Sequence, residues 1–283
     1  MTALELLDWA VPDIAPPGKP WPPRARRSIR RLLQPLFRHV AESRTCWRAE
    51  SVGFWRQDGE RYWMPRLVFR RHPEEEVSIK LAIFAGIHGD EPAGVHALCD
   101  LVQVLDNLPS MGRQYVIHVY PLCNPTGYED GTRHSRSDKD LNREFWRGSL
   151  EPEVQLLERE ILRNKYDGLI SLHSDDTSDG LYGFVRGATL TEHLLKPALS
   201  TAESALPVNR SNQIDGFHAV EGIIHSAYDG ILCAPPGAKP APFEIILESP
   251  THSPLHLQRA AFVLALGEII RHYRRLIAYA ADL

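Results

Sequence analysis

Cysteine is scarce in this chain. Its four cysteines, Cys46, Cys99, Cys123 and Cys233, form no C-x-x-C pair, which argues against a disulfide scaffold; Cys99 and Cys123 lie in apolar segments and read as small core residues. Long apolar runs are missing too, since no stretch approaches the roughly 18 residues of a membrane span. The N-terminus, with Glu5 and Asp8 and no basic start ahead of an apolar run, does not read as a secretory signal. A surplus of positive charge is also absent. The formal net charge of -4 gives no general attraction to nucleic acid or to an anionic membrane, and cytoplasmic residence follows as the expectation. No internal repeat is evident. What is present, 43% hydrophobic and 24% charged residues over 283 positions, describes a soluble globular chain long enough to bury a large core.

Proline, by contrast, is concentrated. Residues 11–23 carry six prolines and read as an extended arm. Behind it, Ile29, Leu32, Leu33, Leu36, Phe37 and Val40 recur at helical spacing, with Arg24, Arg26, Arg27, Arg30 and Arg31 at the front and Pro35 placed to kink or split the helix. Such a basic helix could form an anionic or partner-binding patch; the ordinary reading, favoured here, is an apolar stripe docked on the core with the arginines in water. Arm and helix, residues 1–44, are expected to stand apart from a catalytic domain over 45–283. Nucleic-acid attachment by the helix is disfavoured by the acidic total charge, and oligomerisation or lid formation by this segment stays open.

Aromatic and β-branched residues flank Gln57-Asp58-Gly59-Glu60, a hairpin signal within 45–71. From there strand-like and helix-like segments alternate. Strand 77–87 leads to a helix over 92–106, strand 114–123, an irregular polar stretch and a helix over 151–164. Strand 167–173, a helix near 190–204, strand 243–248 and a long helix over 254–276 complete the series. The alternation predicts a mostly parallel sheet covered by helices on both faces.

His88-Gly89-Asp90-Glu91 is the most informative stretch, because it follows the apolar run Val77–Ile87 and precedes Pro92. Strand, tight turn and helix start in that order let a His and a Glu three residues apart turn toward one point, which suits a divalent metal such as zinc. His-x-x-Glu alone means little. It recurs at His39/Glu42, His72/Glu75 and His218/Glu221, where solvated helix or loop residues are the better reading. His173 ends another strand, and two His with one Glu would leave a fourth zinc position open, as in a hydrolytic site. A third polar cluster runs from Asn124-Pro125-Thr126-Gly127 through Arg133 to Asp140-Leu141-Asn142-Arg143.

In these features, over residues 77–250, the chain resembles the M14 zinc carboxypeptidases: H-x-x-E after a strand, N-P-x-G, an isolated arginine, D-L-N-R, a later strand ending in His, and a late strand carrying a Glu. The resemblance implies an α/β fold, a three-layer α/β/α sandwich around a mostly parallel, mixed sheet. It also implies Zn2+ held by His88, Glu91 and His173, with Arg133 polarising the scissile carbonyl and Asn142 and Arg143 holding a substrate carboxylate. A guanidinium fork matches a carboxylate on chemical grounds as well. Arg136, Arg147 and Arg163 are taken as solvated charges.

Glu244 and Glu248 are four apart in one strand and point to one face. Glu248-Ser249-Pro250 resembles the family's E-S-P ending, so Glu248 is the expected catalytic carboxylate. Tyr228 is a candidate substrate-facing phenol. The expected partner is a small peptide or acyl-amino acid with a free carboxylate, a γ-linked cell-wall peptide among the candidates, with neither nucleic acid nor membrane involved. The rival reading is a succinylglutamate desuccinylase- or aspartoacylase-like amidohydrolase, which shares the metal motif. The N-P-x-G form and the short stretch after Glu248 favour the peptidase. A catalytically dead peptide-binding module would have lost Glu248 or Arg133, and both are present.

Overall fold

Apolar runs that alternate their faces build the centre of this molecule, of which a computed structural model describes residues 2–10, 26–43, 47–71 and 79–281. In β3 (Ile79–Ala85), Ile79, Leu81, Ile83 and Ala85 join one buried cluster while Ala82 and Phe84 join another. Every residue of the strand except the exposed Lys80 therefore contributes to one of two cores, as a sheet covered on both faces requires.

The sheet has ten strands in the order β1-β2-β4-β3-β5-β10-β6-β9-β8-β7. The hairpin of β1 (Trp47–Gln57) and β2 (Glu60–Arg70) is antiparallel around Asp58-Gly59, whose φ angles of 52° and 76° explain why those two residue types occupy the turn. The centre is parallel: β4 (Tyr115–Tyr120) and β5 (Gly168–Asp175) flank β3, and β10 (Phe243–Pro250) lies beside β5. β6 (Tyr182–Val185) runs antiparallel to β10, and β7 (Gln213–Ile214), β8 (Phe217–Val220) and β9 (Ile223–Ile224) extend the sheet beyond it.

Helices cover both faces. On one face α1 (Ala3–Ala10), α2 (Ile29–Glu42), α3 (Ala93–Asn107), α7 (Lys196–Ala202) and α8 (Leu255–Ala281) bury residues such as Leu7, Leu33, Leu98, Leu199 and Leu266 in a shared core. On the other, Val154, Leu157 and Ile161 of α5 (Pro152–Asn164) pack with Phe84 and Leu169. The short α4 (Pro125–Asp130) follows β4, and α6 (Ala188–Leu190) joins α7 through a π-turn over Thr191–Leu195.

The expected three-layer architecture is present, and its winding places the site. From β3 the chain crosses through α3 to β4 on one side, then through α5 on the opposite face to β5 on the other side of β3. Both crossovers keep the right-handed sense only by using opposite faces, and a crevice opens at the carboxyl ends where the direction reverses.

The apolar stripe of α2 is buried as expected, beneath the cap that Ser28 places on Arg31 N–H. The helix runs through Pro35 without interruption, the proline ring lying at an exposed position. Its arginines are not simply in water: Arg30 pairs with Asp8, and Arg26, just before the helix, with Glu60 at 2.8 Å. The proline-rich arm over 11–23, Arg24 and Cys46 lie outside the described residues. Strand β3 stops two residues short of the expected Ile87 because Gly86, at φ 62°, turns the chain. The strands β7 to β9 have no counterpart among the elements expected from the sequence, which pass from a helix near 190–204 to strand 243–248. Among the described residues, no helix is long and apolar enough to cross a membrane.

Candidate active site and metal centre

The turn after β3, the end of β5 and the end of β10 converge on a cavity of about 330 Å³. His88, Glu91 and His173 are 3%, 6% and 2% exposed, and one donor atom from each lies within 4.8 Å of the others. Glu91 bridges the two histidines, Oε1 lying 2.6 Å from His88 Nδ1 and Oε2 lying 3.2 Å from His173 Nδ1. The two Nδ1 atoms are themselves 3.3 Å apart. Two imidazole nitrogens and a carboxylate oxygen turned on one point, out of water, form a donor set suited to a cation.

Asp140 accounts for the orientation of His88. Its Oδ1 is 3.2 Å from His88 Nε2, which holds the proton on that nitrogen and leaves the Nδ1 lone pair for a metal. His173 Nε2 is buried without a partner among the described residues. The three side chains therefore fit a divalent metal ion.

The electrostatics follow the same geometry. Burial would hold His88 neutral, but Glu91 and Asp140 outweigh it and raise its pKa, whereas burial dominates at His173 and lowers its pKa. Burial opposes ionisation of Glu91, yet the two histidines hold its carboxyl well below the usual range. Asp140 is held low in the same way by His88 and Arg133 against its own burial.

Arg133 stands beside this cluster, 42% exposed at its side chain, with Nε 3.1 Å from Asp140 Oδ2 and Nη1 3.4 Å from Glu91 Oε1. Asn142 and Arg143 lie in a single 3-10 turn over Leu141–Arg143 and both line the cavity. Asn142 Oδ1 accepts the Leu232 N–H at 2.8 Å, so its Nδ2 donor is the end left to meet a ligand. Arg143 donates to the Asn142 carbonyl and lies over the Tyr228 ring at 4.3 Å. Tyr228 lines the cavity with its hydroxyl bonded to the Asp215 carbonyl at 3.1 Å.

Glu248 occupies one rung of the sheet, paired with His173 on β5 and Tyr182 on β6. The three side chains thus leave the same face beside the cavity. Burial, then Glu91, Asp175 and Asp215, push the Glu248 carboxyl well above its ordinary pKa. Glu244, on the same face of β10, lies away from this cavity and accepts the Ala234 N–H at 2.6 Å.

The structure thus brings together around one cavity all eight residues singled out in the sequence: His88, Glu91, Arg133, Asn142, Arg143, His173, Tyr228 and Glu248. It adds Asp140 as the group that orients His88 and Arg133, a role the sequence reading left unassigned although the D-L-N-R motif was in view. It corrects Arg136. That side chain, 11% exposed, is not solvated but pairs with Glu129 at 3.1 Å and Asp130 at 2.8 Å and donates to the Tyr62 hydroxyl. Arg147 and Arg163 are exposed.

Comparison with known proteins first defines a class. A protein of Shewanella amazonensis, named as a candidate metallopeptidase, superposes with a TM-score of 0.73 at 19% identity, covering 86% of this chain and 92% of its own. A metallo-carboxypeptidase of Burkholderia cenocepacia superposes at 0.67 with 18% identity over 89% of this chain and 70% of that one. A metallo-carboxypeptidase of Pseudomonas aeruginosa in complex with (2-guanidinoethylmercapto)succinic acid superposes at 0.62 with 18% identity, covering 87% and 68%. The fold is that of the carboxypeptidases. More narrowly, residues 78–218 match the succinylglutamate desuccinylase/aspartoacylase catalytic domain family. Together these likenesses support placing the chain in the M14-like, desuccinylase-related family, and with it a metallopeptidase or desuccinylase-like hydrolase. No curated protein matches the chain.

Proposed function

We propose that this protein is a zinc-dependent amidohydrolase that cleaves an amide bond next to a substrate carboxylate, as a metallocarboxypeptidase or small-peptide amidase. The observation that carries the proposal is the convergence of His88, Glu91 and His173 with Arg133, Asn142, Arg143 and Glu248 on one cavity. When bound, zinc supplies a water of lowered pKa and a Lewis-acidic centre for the carbonyl.

The chain's own residues perform the rest. The Arg143 fork and the Asn142 amide hold the substrate carboxylate and so fix which amide bond reaches the centre. Glu248 takes a proton from the attacking water and returns it to the leaving nitrogen. Arg133 donates N–H bonds to the oxygen that gains charge as the carbonyl becomes tetrahedral, an effect typically worth about 10²- to 10³-fold in rate. Tyr228, stacked on Arg143, limits how far the guanidinium can swing. The succinic acid derivative bound by the Pseudomonas aeruginosa neighbour supports a carboxylate-bearing ligand.

A second reading rests on the match of residues 78–218 to the desuccinylase/aspartoacylase domain: hydrolysis of an N-acyl amino acid. The two separate in one screen. Purified protein supplied with zinc is assayed against peptides with a free C-terminus, γ-glutamyl peptides, and succinyl- or acetyl-amino acids. Peptide cleavage without acyl-amino-acid turnover is the expected result, the reverse pattern selects the second reading, and no turnover of either class removes both. Elemental analysis should find one zinc per chain, lost in His173→Ala.

A further inference from the structure

Asn124 does not line the cavity, yet its carboxamide touches both halves of the site. It is fully buried, and each end of the amide is engaged twice. Nδ2 donates to the Ile87 carbonyl at 3.2 Å and to the Arg133 carbonyl at 3.3 Å. Oδ1 accepts the Gly127 N–H at 2.8 Å and the Thr126 hydroxyl at 3.3 Å, capping α4. This exhausts the two donors and two acceptor sites that an Asn possesses.

The two carbonyls it gathers are those that matter. Ile87 precedes His88, and the guanidinium of Arg133 lies 3.2 Å from His88 Nδ1. The Asn124 N–H adds a third tie, to the Gly86 carbonyl at 2.8 Å, on the same turn. The surfaces so joined are in close contact. A Cβ at Gly89 would lie 1.9 Å from the Gly127 carbonyl carbon, so the metal-ligand turn rests directly on the first turn of α4, which Asn124 caps.

We infer that Asn124 is a positioning residue, whose Nδ2 bonds set the distance between the metal-ligand turn at His88 and the loop that presents Arg133. The inference rests on the function proposed above, and it separates two roles that Asn124 could play. A helix cap needs only the acceptor, which Ser and Asp also supply. Bracing the two carbonyls needs the two N–H donors, which neither supplies.

The test is Asn124→Ser and Asn124→Asp beside the unaltered protein, measured for kcat, KM and metal affinity by chelator competition with zinc alone. Both variants should keep the cap while metal affinity and kcat each fall by about 10- to 100-fold, the usual effect of losing a group that orients a metal ligand. KM for a carboxylate substrate should stay within about threefold, because Asn142 and Arg143 are not held by this amide. In an Arg133→Ala background, Asn124→Ser should cost little further kcat if it acts on turnover through Arg133. Variants with unaltered kcat and metal affinity would reduce Asn124 to a cap and overturn the inference. Should one variant fail to fold, the other carries the comparison. An inactive but zinc-binding unaltered protein would count against the proposed reaction, and the chelator measurement would still decide the role of Asn124.

Discussion

Two polar clusters built from the same residue types occupy this sheet, and they have been resolved in opposite ways. Between the sheet and α5, Glu160 accepts from Arg66, from Tyr120 at 2.9 Å and from Asn164 at 3.3 Å; Tyr166 joins Tyr120 and His118, each at 2.7 Å; and Arg66 also pairs with Glu50 at 3.1 Å. Its charges answer one another, and burial followed by Arg66 pushes the His118 pKa down to about 3, so the imidazole stays neutral. At the carboxyl ends of β3, β5 and β10 the balance is left open. His173 Nε2 has no partner among the described residues, and Glu91, Glu248, Asp175 and Asp215 crowd a cavity. The first cluster is complete as protein; the second offers its open positions to a ligand. Here the buried groups left open around a cavity point to chemistry, and the mutually satisfied ones serve architecture.

The contrast can be broken most sharply at Glu248. Glu248→Gln should lower kcat by about 10²- to 10⁴-fold while zinc content is unchanged, since it removes a proton carrier and no ligand. Glu244→Gln, on the same strand face but outside the cavity, should do far less, and reversed effects would reassign the base. In the closed cluster, Arg66→Met strands Glu160 and should cost about 3–5 kcal/mol of stability in a denaturant titration. The folded variant should keep kcat within about twofold; a larger loss would show that the closed cluster feeds the reaction.

Arg143→Met should weaken a carboxylate substrate by about 2–5 kcal/mol and leave its amidated analogue almost unaffected. Equal losses in KM for both would show that Arg143 does not read a carboxylate.

The smallest effect comes from a buried carboxyl that belongs to neither cluster. Glu153, at the start of α5, is fully buried with both carboxylate oxygens unpartnered among the described residues, and burial raises its pKa from 4.5 to about 7. An unfolded carboxyl releases its proton near 4.5 while the folded one keeps it until about 7. The folded state is therefore favoured in full below the lower value and loses stability across that interval as pH rises. Glu153→Gln should flatten the decline and raise stability above pH 7 by roughly 1–3 kcal/mol. Unchanged pH dependence of the unfolding midpoint would show that Glu153 finds a partner in solution.

Much of this was legible before any coordinates. Strands β3, β5 and β10 are mainly apolar because both their faces are covered, and the polar residues at and just beyond their carboxyl ends stand out for the same reason. The site residues were legible where a motif fixes chemistry at a short spacing, as in His88 and Glu91. Asp140 was in view, but its task depends on His88 and Arg133 meeting in space. Arg136 was misread because its burial needs α4, which carries Glu129 and Asp130, and the hairpin, which carries Tyr62, to meet around it in space. The strands β7 to β9 are only two to four residues long, too short for a periodic signal. Their turns at Asp215-Gly216 and Glu221-Gly222, all with positive φ, were the available clue.

The rung that joins His173, Glu248 and Tyr182 separates what this architecture can vary from what it must keep. The spacing of Glu248 and His173 belongs to backbone pairing between β5 and β10, so it does not depend on the segments between β9 and β10. Residues added around Pro235–Pro240 would lengthen a surface turn, whereas a one-residue slip within β10 would carry Glu248 to the opposite face. The cavity walls contributed by those segments can thus change in length and content while the rung keeps Glu248 and His173 at a fixed separation.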